Sequence, residues 1–212
     1  MVEKICQILI RKMKIAMPEI DEQRAEVIQY GLQNIIGEIP KLFILFLIAY
    51  LLGIWQLALL AFIVILPYRM TSGGFHLHTH IGCIIATTLM YCGNAFLSKS
   101  IEFSPIYLKY IMVALVWIFA IMMITKYAPA DTENVPILRK QDRRKKRNSS
   151  YIVVTISLLI SLLIQDSSIS NLILFGMLFQ TITITRFAYR ITGNKYGYEI
   201  YETKDEVKEG IK

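Results

Sequence analysis

Apolar positions along this chain fall in long blocks rather than in the alternation of a strand or the stripe of a surface helix. Residues 42–66 and 151–164 contain no charge, and 106–124 contain a single lysine. About 20 consecutive apolar residues cross a bilayer core. The blocks therefore predict an all-α, polytopic integral membrane protein, with helices at roughly 26–52, 55–71, 79–98, 105–126, 150–165 and 169–190. A single helix over 42–66 would reduce the count to five, but Gly53 stands in that run as a place to break it. The first helix carries polar early turns (Gln29, Gln33, Asn34, Glu38) and Pro40, which is expected to kink it. Those turns are expected in the interface or against protein rather than in lipid.

Charge chooses between six spans and five. With six, three basic regions fall on one side: the N-terminal segment, the 127–149 connection with its "RKQDRRKKR", and the C-terminal end. The links near 53–55 and 99–104 fall on the other side with one lysine between them. That is the positive-inside distribution, and it puts both termini in the cytoplasm. With five, the 139–147 block lies opposite the basic N-terminus. The expected organisation is a surface amphipathic helix over 1–24, a six-helix membrane domain over 25–192 and a cytoplasmic tail over 193–212. No cleavable signal peptide is expected. The net charge of +7, beside membrane spans, points to anionic lipid rather than to nucleic acid.

Three cysteines, Cys6, Cys83 and Cys92, do not make a disulfide framework. All three histidines lie in "GGFHLHTHIGC", residues 73–83. Ionisable groups at membrane depth are costly, which makes this stretch the candidate site. One reading is a metal or haem site using His76, His78, His80 and Cys83, since His76, His80 and Cys83 would share one helix face. No metal-ligating partners at suitable spacing stand elsewhere, so no metal or cofactor is expected. The other reading is a thiolate nucleophile with a histidine base. On a straight helix His80 is closer to Cys83 than His76 is. Gly73 and Gly74 permit a bend that changes this.

"RMTSGGFHLHTHIGC" resembles the signature of the AgrB family, integral membrane cysteine endopeptidases of Gram-positive bacteria. The pattern is carried here by Arg69, Gly73, Gly74, His76 and Cys83. The resemblance implies His76 and Cys83 as the catalytic pair and therefore a bend between them. "KYAPADTENVPI" (126–137) resembles the segment that follows the family's fourth helix. Glu133 and Asn134 stand where some members have lysines. The implied substrate is an AgrD-type precursor peptide with an amphipathic leader, a pheromone segment and an acidic tail. It would be cut at the cytoplasmic face of the cell membrane for quorum sensing, and the resemblance suggests a homodimer. Arg69 and the backbone of Ser72, Gly73 and Gly74 are candidate oxyanion donors. Asp131, Thr132, Glu133 and Asn134, with Arg143, Arg144, Lys145 and Lys146, are candidate substrate contacts. A residue that orients the histidine stays open among Ser72, Asn94, Asp131, Thr132 and Glu133.

Overall fold

The computed structural model describes residues 9–11, 13, 22–77, 79–133, 136–137 and 139–200. The expected amphipathic segment over 1–24 lies almost wholly outside the described residues, as do 201–212 of the tail. Six helices of 17 to 30 residues follow one another: α1 (Glu22–Leu51), α2 (Trp55–Ser72), α3 (His80–Ser100), α4 (Tyr107–Tyr127), α5 (Lys140–Leu163) and α6 (Ser167–Thr183). A short α7 (Arg186–Ile191) follows. Among the described residues there is no strand, only an isolated bridge between Gly73 and Ala130. Three helices, α2, the Ile81–Ser100 part of α3, and α4, are long and apolar enough to cross a membrane.

α6 is the central element. It packs against α2, α3, α4 and α5, and residues from Ser170 to Met177 are buried without a solvent-facing side. Gly176 lets α2 and α3 approach it, since a Cβ there would lie 2.9 Å from Ile65 and 3.2 Å from Asn94. Polar side chains tie the helices across this contact. Asn94 donates to the Leu172 carbonyl (3.0 Å), Asn171 to the Ile101 carbonyl (2.6 Å), and Tyr68 pairs with Thr181 (3.0 Å). Each such bond between helices in an apolar medium is worth about 0.6 kcal/mol. The outer faces are apolar instead, with Ile63 and Met70 of α2, Leu115 and Met122 of α4, and Ile152 and Ile156 of α5 exposed. Apolar surface of this extent suits hydrocarbon rather than water.

Two boundaries differ from expectation. α5 begins at Lys140, so the basic block expected in a connection forms its first turns. Lys, Arg and Gln are good helix formers, and the helix sets Arg143 and Arg147 one turn apart on its inward side. α6 stops at Thr183 rather than near 190. The stretch Thr181–Ile182–Thr183–Ile184–Thr185 is β-branched throughout, which weakens helix. Thr183 turns its hydroxyl back onto the Gln180 carbonyl (2.7 Å), and Thr185 caps α7 by accepting from the Ala188 N–H (3.2 Å).

Candidate functional site

α2 ends where Gly73 (φ +74°) and Gly74 (φ +139°) take backbone angles that L side chains avoid. The turn lies against the 128–131 segment. The Gly74 N–H donates to the Ala130 carbonyl (2.9 Å) and the Ala130 N–H to the Ser72 carbonyl (2.8 Å). There is no room for side chains: a Cβ on Gly73 would lie 2.9 Å from the Ala130 carbonyl carbon, and one on Gly74 2.6 Å from the Thr183 hydroxyl. Gly74→Ala is therefore expected to cost at least about 2 kcal/mol of stability, from the backbone conformation alone. Equilibrium unfolding in detergent measures it, and an unchanged midpoint would contradict this geometry.

Four side chains fasten the loop that follows. Arg69 donates to the Phe75 carbonyl (2.7 Å) and to the Thr183 hydroxyl (3.1 Å). Gln180 donates to the Gly73 carbonyl (2.8 Å) and to the Ser72 hydroxyl (3.0 Å). Asn194 donates to the His76 carbonyl (2.6 Å). Tyr189 reaches the Ala130 carbonyl beneath the turn (2.8 Å). α3 then starts at His80, with Thr79 as its cap: the Thr79 hydroxyl accepts from the Gly82 N–H (3.1 Å) and its carbonyl from the Cys83 N–H (3.0 Å). His76 thus stands on the loop and Cys83 in the first turn of the helix, and the chain bends between them. His78, Asn134 and the His80 side chain lie outside the described part of the structure.

The His76 side chain is exposed on one side. Protein packed against its other side, and then the Arg69 guanidinium, push its imidazole down to about 4. Cys83 is half-buried. Among the described residues no hydrogen bond joins the two. The N–H groups of Gly73, Gly74 and Phe75 are all taken, by the carbonyls of Arg69, Ala130 and Thr183. The Ser72 hydroxyl is held by Tyr68 and Gln180. In this arrangement the turn leaves no backbone donor over 73–75 for an oxyanion, and Arg69 ties the loop through two of its five N–H donors.

The 128–133 segment is held from α5. Asp131 is buried, and its Oδ2 accepts from Arg143 (2.8 Å) and from the Ile137 N–H (3.0 Å). Arg143 also reaches the Pro129 carbonyl (3.3 Å), and Arg147 the Ala128 carbonyl (2.8 Å). Arg143 lies over the Tyr198 ring, 4.7 Å from its centre. Tyr198, Tyr196 and Tyr189 form a stack, with 4.0 Å between the centres of Tyr189 and Tyr196. Thr132 is buried and Glu133 exposed, and Arg144, Lys145 and Lys146 face outward from α5. The basic block is thus divided by helix face into two inward clamps and an outward cationic surface.

Sequence reasoning did not single out Gln180, Tyr189, Asn194 or Lys41. The first three meet the loop from more than 100 residues away or across the 128–131 segment. Lys41 of α1 is 8% exposed, donates to Glu38 (2.6 Å), and interacts with the Cys83 sulfur. Among the described residues no group of three His, Cys, Asp or Glu could hold a metal.

The fold and this polar cluster define an all-helical protein with apolar, membrane-length helices, a histidine on a loop pinned behind a glycine turn and a cysteine in the first turn of the next helix. Residues 2–184 match the model of Accessory gene regulator B, and the chain belongs to that family. An AgrB-like protein of Clostridium acetobutylicum is 28% identical over 182 residues, spanning 86% of this chain and 84% of its own. One from Listeria innocua is 27% identical over 201 residues, spanning 94% and 95%. No solved structure matches.

Proposed function

We propose that this protein is a membrane-embedded cysteine endopeptidase that cleaves an AgrD-type precursor at the C-terminal end of its pheromone segment. His76 takes the thiol proton of Cys83. The thiolate attacks the scissile carbonyl, the C–N bond breaks, and the acidic tail leaves as an amine carrying the proton from His76. The acyl group stays on Cys83 as a thioester until a Cys or Ser of the peptide attacks it, closing a thiolactone or lactone ring and releasing the sulfur. The protein spans the cell membrane six times, with both termini and the site at the cytoplasmic face, where water is scarce enough for ring closure to compete with hydrolysis.

The observation that carries this proposal is the bend. It puts His76 on a pinned loop and Cys83 in the first turn of α3, where the positive end of the helix dipole favours developing negative charge. The pair closes to hydrogen-bonding distance on the bound precursor. The test is reconstitution in vesicles with an AgrD-type precursor, read by release of the tail peptide before and after iodoacetamide. Cleavage that survives full alkylation of Cys83 would defeat the proposal.

Two further outcomes follow from the site. His76 is held at about 4, so it is unprotonated and able to accept a proton well below neutrality. The acid limb of kcat/KM is expected below the ordinary imidazole value of about 6.5, and a limb at or above that value would contradict it. The same lowering means that the unfolded chain binds the proton more readily. Its contribution to stability is complete at neutral pH and is lost as pH falls from about 6.5 towards 4. Secondly, the outward cations attract the acidic tail of the precursor. Replacing Arg144 and Lys145 together by Gln is expected to raise KM about tenfold at low salt with little change in kcat, an effect that shrinks as salt is added. An unchanged KM removes these residues from substrate binding.

A further inference from the structure

We propose that Lys41 is a catalytic residue, its ammonium being the counter-ion of the Cys83 thiolate, and that Glu38 positions it. This rests on the assignment of Cys83 as the nucleophile. Lysine is almost never as buried as Lys41 unless it is paired. Its one hydrogen bond among the described residues goes to Glu38 Oε1, at 2.6 Å and one turn earlier on the same face of α1. An ammonium has three N–H donors, so two remain. The neighbour across the α1–α3 contact is the Cys83 sulfur, which lies within electrostatic and hydrogen-bonding reach.

The charges around the sulfur leave a place for an anion. Lys41 from α1 and Arg69 from α2 are cations that interact with Cys83. Glu38 from α1 is the carboxylate that faces both. His76 on the loop is neutral at neutral pH. Tyr91 of α3 faces Arg69 and Glu38. Two positive charges against one negative leave an excess of one, and the Glu38 carboxylate, 53% exposed, offsets Lys41 only in part. A thiolate at Cys83 balances the set. Arg69 is tethered to the loop through two of its five N–H donors, by the Phe75 carbonyl and the Thr183 hydroxyl, and meets the sulfur through charge alone. The N–H groups of residues 73–75 are taken. Lys41 is the cation within hydrogen-bonding reach of the sulfur, with two donors left. When the nucleophile forms, the S–H proton passes to the His76 imidazole, and Lys41 keeps its own proton throughout.

The test needs no precursor. In protein with Cys6→Ala and Cys92→Ala, Cys83 is the one remaining thiol, and its alkylation by iodoacetamide in vesicles is followed against pH. Lys41→Met is expected to slow alkylation at neutral pH about tenfold, since an opposite charge within a few ångströms shifts ionisation by at least that factor. The deficit should close in alkaline buffer, where the thiol ionises unaided. Lys41→Arg should retain most of the rate, and Glu38→Gln should raise it, because the competing carboxylate is gone. Opposite signs at two neighbouring positions are not produced by a merely structural pair. Equal rates for parent and Lys41→Met at every pH would overturn the proposal. So would a deficit that persists in alkaline buffer, or a Glu38→Gln rate at or below the parent's. If Lys41→Met does not fold, the Lys41→Arg and Glu38→Gln rates decide. Cleavage of a precursor by the parent protein tests the peptidase assignment separately: a shifted alkylation profile without cleavage keeps the ion pair and removes the peptidase.

Discussion

Cys83→Ala is expected to abolish precursor cleavage, by a factor on the order of 10⁴ or more, while Cys92→Ala leaves it largely intact. The two cysteines share α3 but not an environment. Cys83 is half-buried in the first turn, beside the pinned loop that carries His76. Cys92 is buried in the core cluster of the bundle, away from the turn. His76→Ala should cost nearly as much as Cys83→Ala, and the double variant little more than either. A nucleophile and the base that activates it act as one unit, so their losses do not add. Initial rates of tail-peptide release from reconstituted vesicles measure all four. Additive losses, or an equal loss in Cys92→Ala, would contradict the assignment.

Arg143→Met is expected to destabilise the protein by about 3 kcal/mol without touching the reacting groups. The Asp131 carboxylate has almost no solvent access, with 1% of its side-chain surface exposed. It depends on Arg143 and one backbone N–H. Removing the guanidinium leaves a buried charge unpaired, frees the Pro129 carbonyl and removes the cation from the Tyr198 face. Asp131→Asn in the same background should recover part of the loss, because the buried charge disappears with its partner. A double-mutant cycle by unfolding in detergent reads this coupling. Additive losses would mean that the pair contributes nothing. Since the 128–131 segment carries the glycine turn, the single variant should also lower activity through a smaller folded fraction.

The positions of α2, α3 and α4 were legible because almost uncharged blocks, broken at Gly53, at the Gly73–Gly74 pair and at the 99–104 link, leave few other places for a helix. The bend before Cys83 was legible only through the family signature. Local spacing favours His80, and it takes the contacts of Arg69, Gln180 and Asn194 to hold residues 73–77 out of the helix. Those partners come from distant parts of the chain, which no local pattern reports. The beginning of α5 was hidden for a different reason. A run of cations reads as a solvated connection, and only the carbonyls of Ala128 and Pro129 give Arg147 and Arg143 a reason to turn inward on a helix. Lys41 escaped because it borders an apolar run, where a lone lysine reads as the edge of a span. Its burial and its contact with Cys83 depend on how α1 packs against α3.

The most direct measurement uses a precursor whose ring-forming Cys or Ser is replaced by Ala, so that the acyl group has no intramolecular acceptor. After incubation with the reconstituted protein, peptide mapping by mass spectrometry should find the pheromone segment attached to Cys83 through a bond that hydroxylamine releases. Tail release without an adduct, or an adduct on any other residue while Cys83→Ala still cleaves, would contradict the account.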